Sequence, residues 1–361
     1  MEKVMVAMSG GVDSAVAALL LKRAGCDCSG VTMRLVRGSD LALAPHKSCC
    51  SSEDAEDAAF VCYQLGIEHE LVDFSGLFRH FVIQKFIREY ERGRTPNPCI
   101  DCNRALKFSA LLDWALKEGF DAIATGHYAR ITHSPTGRYE LRKALDASKD
   151  QSYVLAMLRQ EQLARLRLPL GELSKTQVRA LAREAGLVNA QKHDSQDICF
   201  LPDGDIGGFW ERWTGQRLCP GEVLDEEGRV LGMHRGALRY TLGQRRGLGV
   251  AAAEPLYVVE KDVESNTLRV GSQGALYRRA LLAEDMNWLS IAEPSAPIRA
   301  NVRARYRQPE STATVTPLPH GEARIVFDEP QRALTPGQAV VLYDGELVLG
   351  GGTIARVEEE K

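Results

Sequence analysis

Six residues constrain this chain more than any others: Ser9-Gly10-Gly11-Val12-Asp13-Ser14, set between the apolar run Val4–Met8 and the Ala/Leu-rich run Ala15–Lys22. The first run reads as a buried strand and the second as a helix that stops at Gly25, so the hexapeptide is a strand-to-helix turn. Its two glycines permit positive φ and a close approach of backbone to an anion. The helix behind it supplies unpaired N–H groups and a partial positive charge, which suits a phosphate. Ser9 and Ser14 add hydroxyl donors, and Asp13 is placed to hold Mg2+ or water against the phosphate oxygens. The usual phosphate loop ends in Lys followed by Ser or Thr; this one has no lysine and a different spacing. It is therefore suited to gripping a pyrophosphate rather than a γ-phosphate in transit. A well-capped turn without a ligand is the bland alternative.

Around this turn the chain alternates short apolar runs with helical patterns. Gly30–Leu35, Glu68–Phe74 and Phe120–Thr125 read as further strands, with helices over Ser52–Leu65, Leu77–Glu91 and Ala105–Lys117. Such a β-α-β-α order predicts a parallel, helix-covered sheet. Ser174–Gln177 is a capping box opening a helix that runs to Gly186. Beyond residue 200, glycine, proline and turn pairs recur every 8–12 residues, as in PGEVLDEEGRV and LYVVEKDVESNTLRVG. That texture predicts antiparallel β structure, with a break near residues 276–282. The expected fold class is thus α/β: a parallel-sheet nucleotide-binding domain over 1–200, a small, mostly β domain over 201–278 and a β-barrel-like domain over 279–361.

Composition narrows the class. A length of 361 residues favours two or three domains, and 44% apolar content with 26% charged is ordinary for a globular chain. No apolar run approaches the roughly 20 residues of a membrane helix, and MEKVMVAMSGG lacks the layout of a secretory signal, so the expected location is cytoplasmic. A net charge of −3 excludes a uniformly basic coat but not local basic patches. Nine cysteines, an odd number, speak against a disulfide scaffold and for reduced thiols with separate duties.

Two cysteine motifs stand out. In Arg94-Thr-Pro-Asn-Pro-Cys-Ile-Asp-Cys-Asn103 two prolines predict an extended loop, with a helix beginning near Arg104. A thiol at that helix start, with Arg94, Arg104 and Lys107 nearby in sequence, is expected to have a lowered pKa, which makes Cys102 a plausible nucleophile. The C-x-x-C pair is equally half a zinc site, with Cys49-Cys50 as the other half. The other motif is His193-Asp-Ser-Gln-Asp-Ile-Cys-Phe200, where Cys199 taken alone reads more simply as buried apolar filler. Arg299, Arg303, Arg305 and Arg307 alternate as on one strand face, a phosphate-tracking row or a solvated barrel exterior.

SGGVDS resembles the signature of the PP-loop ATP pyrophosphatases, which cleave ATP between its α and β phosphates. Across nearly the whole chain the resemblance is to the tRNA-specific 2-thiouridylases. It is carried by SGGVDS at 9–14, GRTPNPCIDCN at 93–103, ATGHYAR at 124–130, KDQSY at 149–153, DSQDICF at 194–200, YTLGQRRGLG at 240–249, RYRQ at 305–308 and TPGQAVVLYDGE at 335–346.

The resemblance implies an ATP-dependent tRNA-uridine 2-sulfurtransferase that adenylates O2 of wobble uridine 34 and replaces it with sulfur. The alternative is a PP-loop ligase adenylating a small metabolite, which leaves the cysteine motifs and the β region without a purpose. The resemblance assigns the persulfide carrier to Cys199 and the nucleophile to Cys102, with a Cys102–Cys199 disulfide formed in turnover. ATP contacts fall on Ala7, Met8, Ser9, Gly10, Gly11, Val12, Asp13, Ser14, Met33 and Gly126, with Mg2+ at Asp13. Contacts to tRNA fall on Asn97, Pro98, Cys99, His127, Lys149, Asp150, Gln151, Arg305, Tyr306 and Gln338. The implied partners are glutamate, glutamine and lysine tRNAs and a persulfide donor, either a cysteine desulfurase or a sulfur-relay protein. One departure matters: many relatives carry a general acid/base Asp where this chain has Cys99, and Asp101 lies two positions on. Cys99, Cys102 and Cys199 together form a set able to ligate a 4Fe–4S cluster with one open iron. Cys49-Cys50 receives no role.

Overall fold

The structure, a computed structural model, describes residues 1–36, 52–193, 198–201 and 203–358. Cys49-Cys50 and residues 194–197 of the DSQDICF motif lie outside the described residues.

The chain opens with strand β1 (Lys3–Ala7), whose Val4, Met5 and Val6 are all buried. Three consecutive buried apolar residues mark a strand covered on both faces rather than one. β2 (Asp27–Arg34) and β3 (His69–Asp73) extend the sheet on one side, while β4 (Ala122–Ala124) begins its extension on the other. All these pairings are parallel, with Lys3 opposite Asp27 and Val4 opposite Ala122. The chain therefore leaves β1 in one direction and later returns to its other side, so the carboxyl ends of β1 and β4 flank a switch point where such sheets bind ligands. The helix Val12–Arg23 covers the sheet there. Its buried face is mostly alanine and leucine, and small side chains let it lie close to both the sheet and the helix Lys175–Glu184.

A hairpin, β5 (Ala129–His133) and β6 (Tyr139–Lys143), follows, and β7 (Leu166–Arg167) completes the parallel sheet beside β4. After the helix Ile206–Thr214 comes a small sheet in the order β10-β11-β8-β9, built from β8 (Gly221–Leu224), β9 (Val230–His234), β10 (Tyr257–Asp262) and β11 (Thr267–Gly271). It is not wholly antiparallel, because β11 runs parallel to β8.

The remaining strands are β12 (Tyr277–Trp288), β13 (Ile298–Arg303), β14 (Ser311–Leu318), β15 (Glu322–Arg332), β16 (Ala339–Asp344) and β17 (Leu347–Glu358). They pair antiparallel in the order β12-β15-β14-β13-β16-β17 and close into a barrel through β12 and β17. Alternate residues such as Val302, Val315, Ile325 and Leu342 fill its interior, the period-two pattern of a small barrel. The β5–β6 hairpin joins this barrel sheet beside β17, with Leu347 opposite Arg142. Nothing in the sequence pattern announces that pairing, since more than two hundred positions separate the partners.

Among the described residues no helix is long and apolar enough to cross a membrane. The strand carrying Arg299 and Arg303 ends at Arg303, and Arg305 and Arg307 lie in the turn that follows. The expected four-arginine row on one strand face is therefore not formed.

Candidate active site

The hexapeptide turn sits at the switch point and closes on itself. The Ser14 hydroxyl donates to the Gly11 carbonyl at 3.0 Å and accepts from the Ser9 N–H at 3.2 Å. Gly10 has φ +70°, and a Cβ there would lie 2.3 Å from the Asp54 carbonyl oxygen at the start of the helix Ser52–Leu65. Gly11 stays at φ −88° and serves as the helix cap, so only one of the two glycines uses the left-handed region. The root of the loop is tied to β2: Met8 N–H donates to Val31 at 2.8 Å, and the Thr32 hydroxyl donates to the Met8 carbonyl at 3.0 Å. Ala7 ends β1, Met33 lies near the end of β2, and Gly126 follows β4. Gly126 packs so closely on the turn that a Cβ would meet Asp13 C and Ser14 N at 2.7 Å.

Three residues absent from the expected set hold the turn from outside. Lys175 Nζ donates to both Asp13 oxygens, at 2.7 and 2.8 Å. The Tyr128 hydroxyl donates to Asp13 Oδ1 at 2.8 Å, and Asn189 Nδ2 donates to the Gly10 carbonyl at 3.1 Å. Lys192 bridges Asp54 and Asp57 on the helix against which Gly10 packs. A signal existed for two of them: Tyr128 stands inside ATGHYAR, and Lys175 is the first residue after the Ser174 cap.

The cysteine motif is less extended than its prolines predict. Its helix starts at Pro98, not near Arg104: Asn97 Oδ1 accepts the Cys99 N–H at 3.1 Å, and Pro98–Asp101 runs into a π-helical stretch, Cys102–Ala110. Wide helical turns of this kind recur at functional sites. Cys99 and Cys102 are three residues apart on one helix and so share a face, with Cys99 exposed and Cys102 buried. Asp101 faces elsewhere. Its carboxylate meets Lys85 Nζ at 2.6 Å beside a cavity of about 30 Å³ lined by Glu89, Asn97, Arg104 and Thr353. Burial pushes its carboxyl pKa up, and Lys85 partly opposes the rise. Arg94 pairs with Glu89 at 2.9 Å and with Glu284, and donates to the Ile354 carbonyl. The upstream loop is clamped by the barrel, with Thr95 N–H donating to Pro336 at 2.8 Å and Gln338 Nε2 donating to the Thr95 carbonyl at 2.6 Å.

Cys199 is half-buried and packs on the apolar cluster that contains Ile100, Cys102 and Leu106. Its neighbour Phe200 is the anchor, with ring centroids 5.7 Å from Phe78 and 5.2 Å from both Phe86 and Phe209. Cys102 is buried inside this large core, and Cys199 packs against it. Among the described residues no three His, Cys, Asp or Glu side chains are grouped to hold a metal ion.

The residues expected to face tRNA divide in two. Asp150 is buried and turned inward, accepting the Ala144 N–H, the Ser152 N–H and the Ser152 hydroxyl, with Arg303 at 3.7 Å. Gln151 Oε1 accepts the Tyr128 N–H at 2.9 Å, and Arg305 bonds the Leu242 carbonyl and the Thr335 hydroxyl. These side chains brace the site. Lys149 is half-buried, and Tyr306 is 40% exposed with its ring 5.7 Å from Tyr153. Burial raises the Tyr306 pKa, and the neighbouring Asp150 charge adds to it. His127 Nδ1 lies 2.8 Å from the Thr125 hydroxyl, and its ring is 5.7 Å from Phe108. Burial, with Lys107 nearby, holds its pKa well below the usual value. Arg299 pairs with Asp328 and Arg303 with Glu310, which commits two members of the expected arginine row to carboxylates.

Residues 2–203 match the family described as tRNA methyl transferase HUP domain, residues 208–272 the tRNA methyl transferase PRC-barrel domain and residues 278–354 the aminomethyltransferase beta-barrel domain. A tRNA-specific 2-thiouridylase MnmA of Roseiflexus castenholzii is 48% identical, covering 99% of this chain and 100% of its own length. Proteins of the same description from Acetivibrio thermocellus and Heliobacterium modesticaldum are 47% and 49% identical over 98% of this chain, and over 99% and 93% of their own lengths.

Proposed function

The chain belongs to the tRNA-specific 2-thiouridylase family, and from that premise we propose that it is an ATP-dependent tRNA-uridine 2-sulfurtransferase acting on wobble uridine 34. Its division of labour follows the proposed units: 1–200 for chemistry, 201–278 and 279–361 for holding tRNA. The observation that supports the reading is the phosphate-type turn at the switch point of the parallel sheet, in the same domain as the two cysteine motifs.

Uracil C2 resists attack because its oxygen is a poor leaving group. In the proposed first step O2 attacks the α-phosphorus of ATP, the bond to the β-phosphate oxygen breaks, pyrophosphate leaves with the electron pair, and the N3 proton is lost. The turn of residues Ala7–Ser14 binds the phosphates through backbone N–H groups and the Ser9 hydroxyl, while Met33 and Gly126 border the nucleotide. Mg2+ bound with the nucleotide would neutralise phosphate charge; Asp13 is the carboxylate of this loop suited to it. The terminal sulfur of a Cys199 persulfide then attacks C2, and the C2–O2 bond breaks to release AMP. Cys102 attacks the inner sulfur, which frees 2-thiouridine and leaves a Cys102–Cys199 disulfide for an external thiol to reduce. In the variant route Cys102 first releases sulfide, which attacks C2. Asn97, Pro98, Cys99, His127, Lys149, Tyr306 and Gln338 surround the base and its strand, with Asp150, Gln151 and Arg305 bracing them. The proposed substrates are glutamate, glutamine and lysine tRNAs, with sulfur from a cysteine desulfurase or relay protein.

The test is incubation with ATP, a persulfide donor and unmodified tRNA, followed by nucleoside analysis. 2-Thiouridine and AMP are expected in equal amounts. AMP transfer to a small acceptor with no thiolation, under an active donor, would overturn the reading. Cys199→Ser is expected to abolish thiolation while tRNA affinity is retained.

A further inference from the structure

The wide helix Cys102–Ala110 is braced at both ends by buried carboxamides. At its far end Gln162, 3% exposed, donates from Nε2 to the Phe108 carbonyl and, at 2.9 Å, to the Ser109 hydroxyl. At its near end stands Asn103, the residue after Cys102. It is 2% exposed, and its Nδ2 donates to the Val154 carbonyl at 3.1 Å. Asn103 Oδ1 is buried too, yet it has no hydrogen-bond partner among the described residues. An unpaired buried acceptor offsets what the Nδ2 bond contributes. Stability alone therefore gives little reason for a carboxamide here over a leucine of similar volume.

The carbonyl that Asn103 grips is fixed from several sides. Val154 belongs to the helix Ser152–Leu155. Just ahead of it the Gln151 N–H donates to the Tyr128 carbonyl at 2.9 Å, and the Ser152 hydroxyl donates to buried Asp150 at 2.9 Å. The Tyr153 hydroxyl donates to the Ala339 carbonyl, at the start of β16, at 2.8 Å. Asn103 thus ties the residue after the thiol to a point shared by the parallel-sheet unit and the barrel. Such a tie fixes how the wide helix is turned about its axis. A twist of about 10° moves an atom about 5–6 Å from that axis by about 1 Å, and a misplacement of that size can slow a reaction on the order of 100-fold.

We propose that Asn103 is a positioning residue for the sulfur-transfer step: anchored on the Val154 carbonyl, it sets the line along which the Cys102 sulfur meets the inner sulfur on Cys199. In that step the Cys102 thiolate bonds to Cys199 Sγ. The bond from Cys199 Sγ to the sulfur already on C2 breaks, and its electron pair leaves with 2-thiouridine. Asn103 makes and breaks no bond and transfers no proton. The proposal deepens the sulfurtransferase reading and rests on it, since it needs Cys102 as the attacking thiol.

The experiment follows both halves of a single turnover with ATP, a persulfide donor and unmodified tRNA: pyrophosphate release, then 2-thiouridine together with the Cys102–Cys199 disulfide. In Asn103→Leu the orphan acceptor is gone and the Val154 carbonyl loses its donor, so the melting temperature is expected to stay close to the parent's. Pyrophosphate release and tRNA affinity should remain within about threefold, while thiolation and disulfide formation slow by on the order of 10- to 100-fold. Asn103→Ser, too short to reach Val154 and free of any packing strain from leucine, is expected to show the same split. A folded variant that thiolates within about threefold of the parent overturns the proposal. So does one in which both halves slow together as the melting temperature falls, because that is the mark of a structural brace. Thiolation by Cys102→Ser at the parent's rate counts instead against the sulfurtransferase scheme beneath the proposal.

Discussion

At position 126 one missing methyl group determines how closely strand and nucleotide turn approach. A Cβ would collide with backbone atoms of Asp13 and Ser14, which cannot rotate away as a side-chain tip can. Gly126→Ala is therefore expected to cost roughly 1–3 kcal/mol by overpacking and to weaken nucleotide binding more than tRNA binding, as parallel titrations with an ATP analogue and with tRNA would measure. The same scale settles the Cys99 question. An extended loop would place Asp101 about 6–7 Å from Cys99. The segment is helical instead, and two residues along a helix turn a side chain about 200° around the axis. Asp101 accordingly meets Lys85 on a different face from Cys99.

The element that matters most is the helix begun at Pro98. Its onset six residues earlier than expected puts Cys99 in its first turn and Cys102 in its second, so one cap positions both thiols. Asn97→Ala removes that cap and is expected to lower stability by about 1 kcal/mol. The thiolation rate should fall further than tRNA affinity, which thermal melts and single-turnover thiolation would separate. The prolines were legible in the sequence, but Pro98 is a helix-starting proline, and proline at the first helical position looks locally the same as proline in a loop. The arginine row failed for a related reason. Alternation is a property of a strand, and the strand ends at Arg303 before the row is complete.

Over the whole molecule, the three units meet around the cysteine motif. Arg94 reaches Glu284 and Ile354 of the barrel, the β5–β6 hairpin extends the barrel sheet, and Lys261 of β10 lies against Tyr90 of the first unit. That lysine is half-buried, donates to the Tyr240 carbonyl at 3.2 Å, and has its pKa lowered by desolvation to about 8. The native state thus gives up this proton more readily than the unfolded chain, whose lysine titrates near 10.5. Stability is diminished in full below about pH 8 and is regained as pH rises through that window. The shift amounts to on the order of 3 kcal/mol, against about 1–2 for the Tyr90 ring contact. Lys261→Met is therefore expected to raise the melting temperature at pH 7, with the gain closing as pH approaches about 10, which melts across that range would check.

What the amino-acid order determined by itself was whatever lies within a few residues of a signal: the strand, turn and helix around SGGVDS, the parallel sheet implied by alternating elements, and the two cysteine motifs. Such features rest on backbone freedom, capping and periodicity, all of which are local. The tertiary structure alone decided which distant groups meet. Lys175 reaches Asp13, Cys199 packs against the core that holds Cys102, Gln338 clamps Thr95, and a hairpin of the first unit pairs with the barrel. Those meetings depend on strand order and on which faces are buried together, which are properties of the folded whole and leave no local trace in the chain.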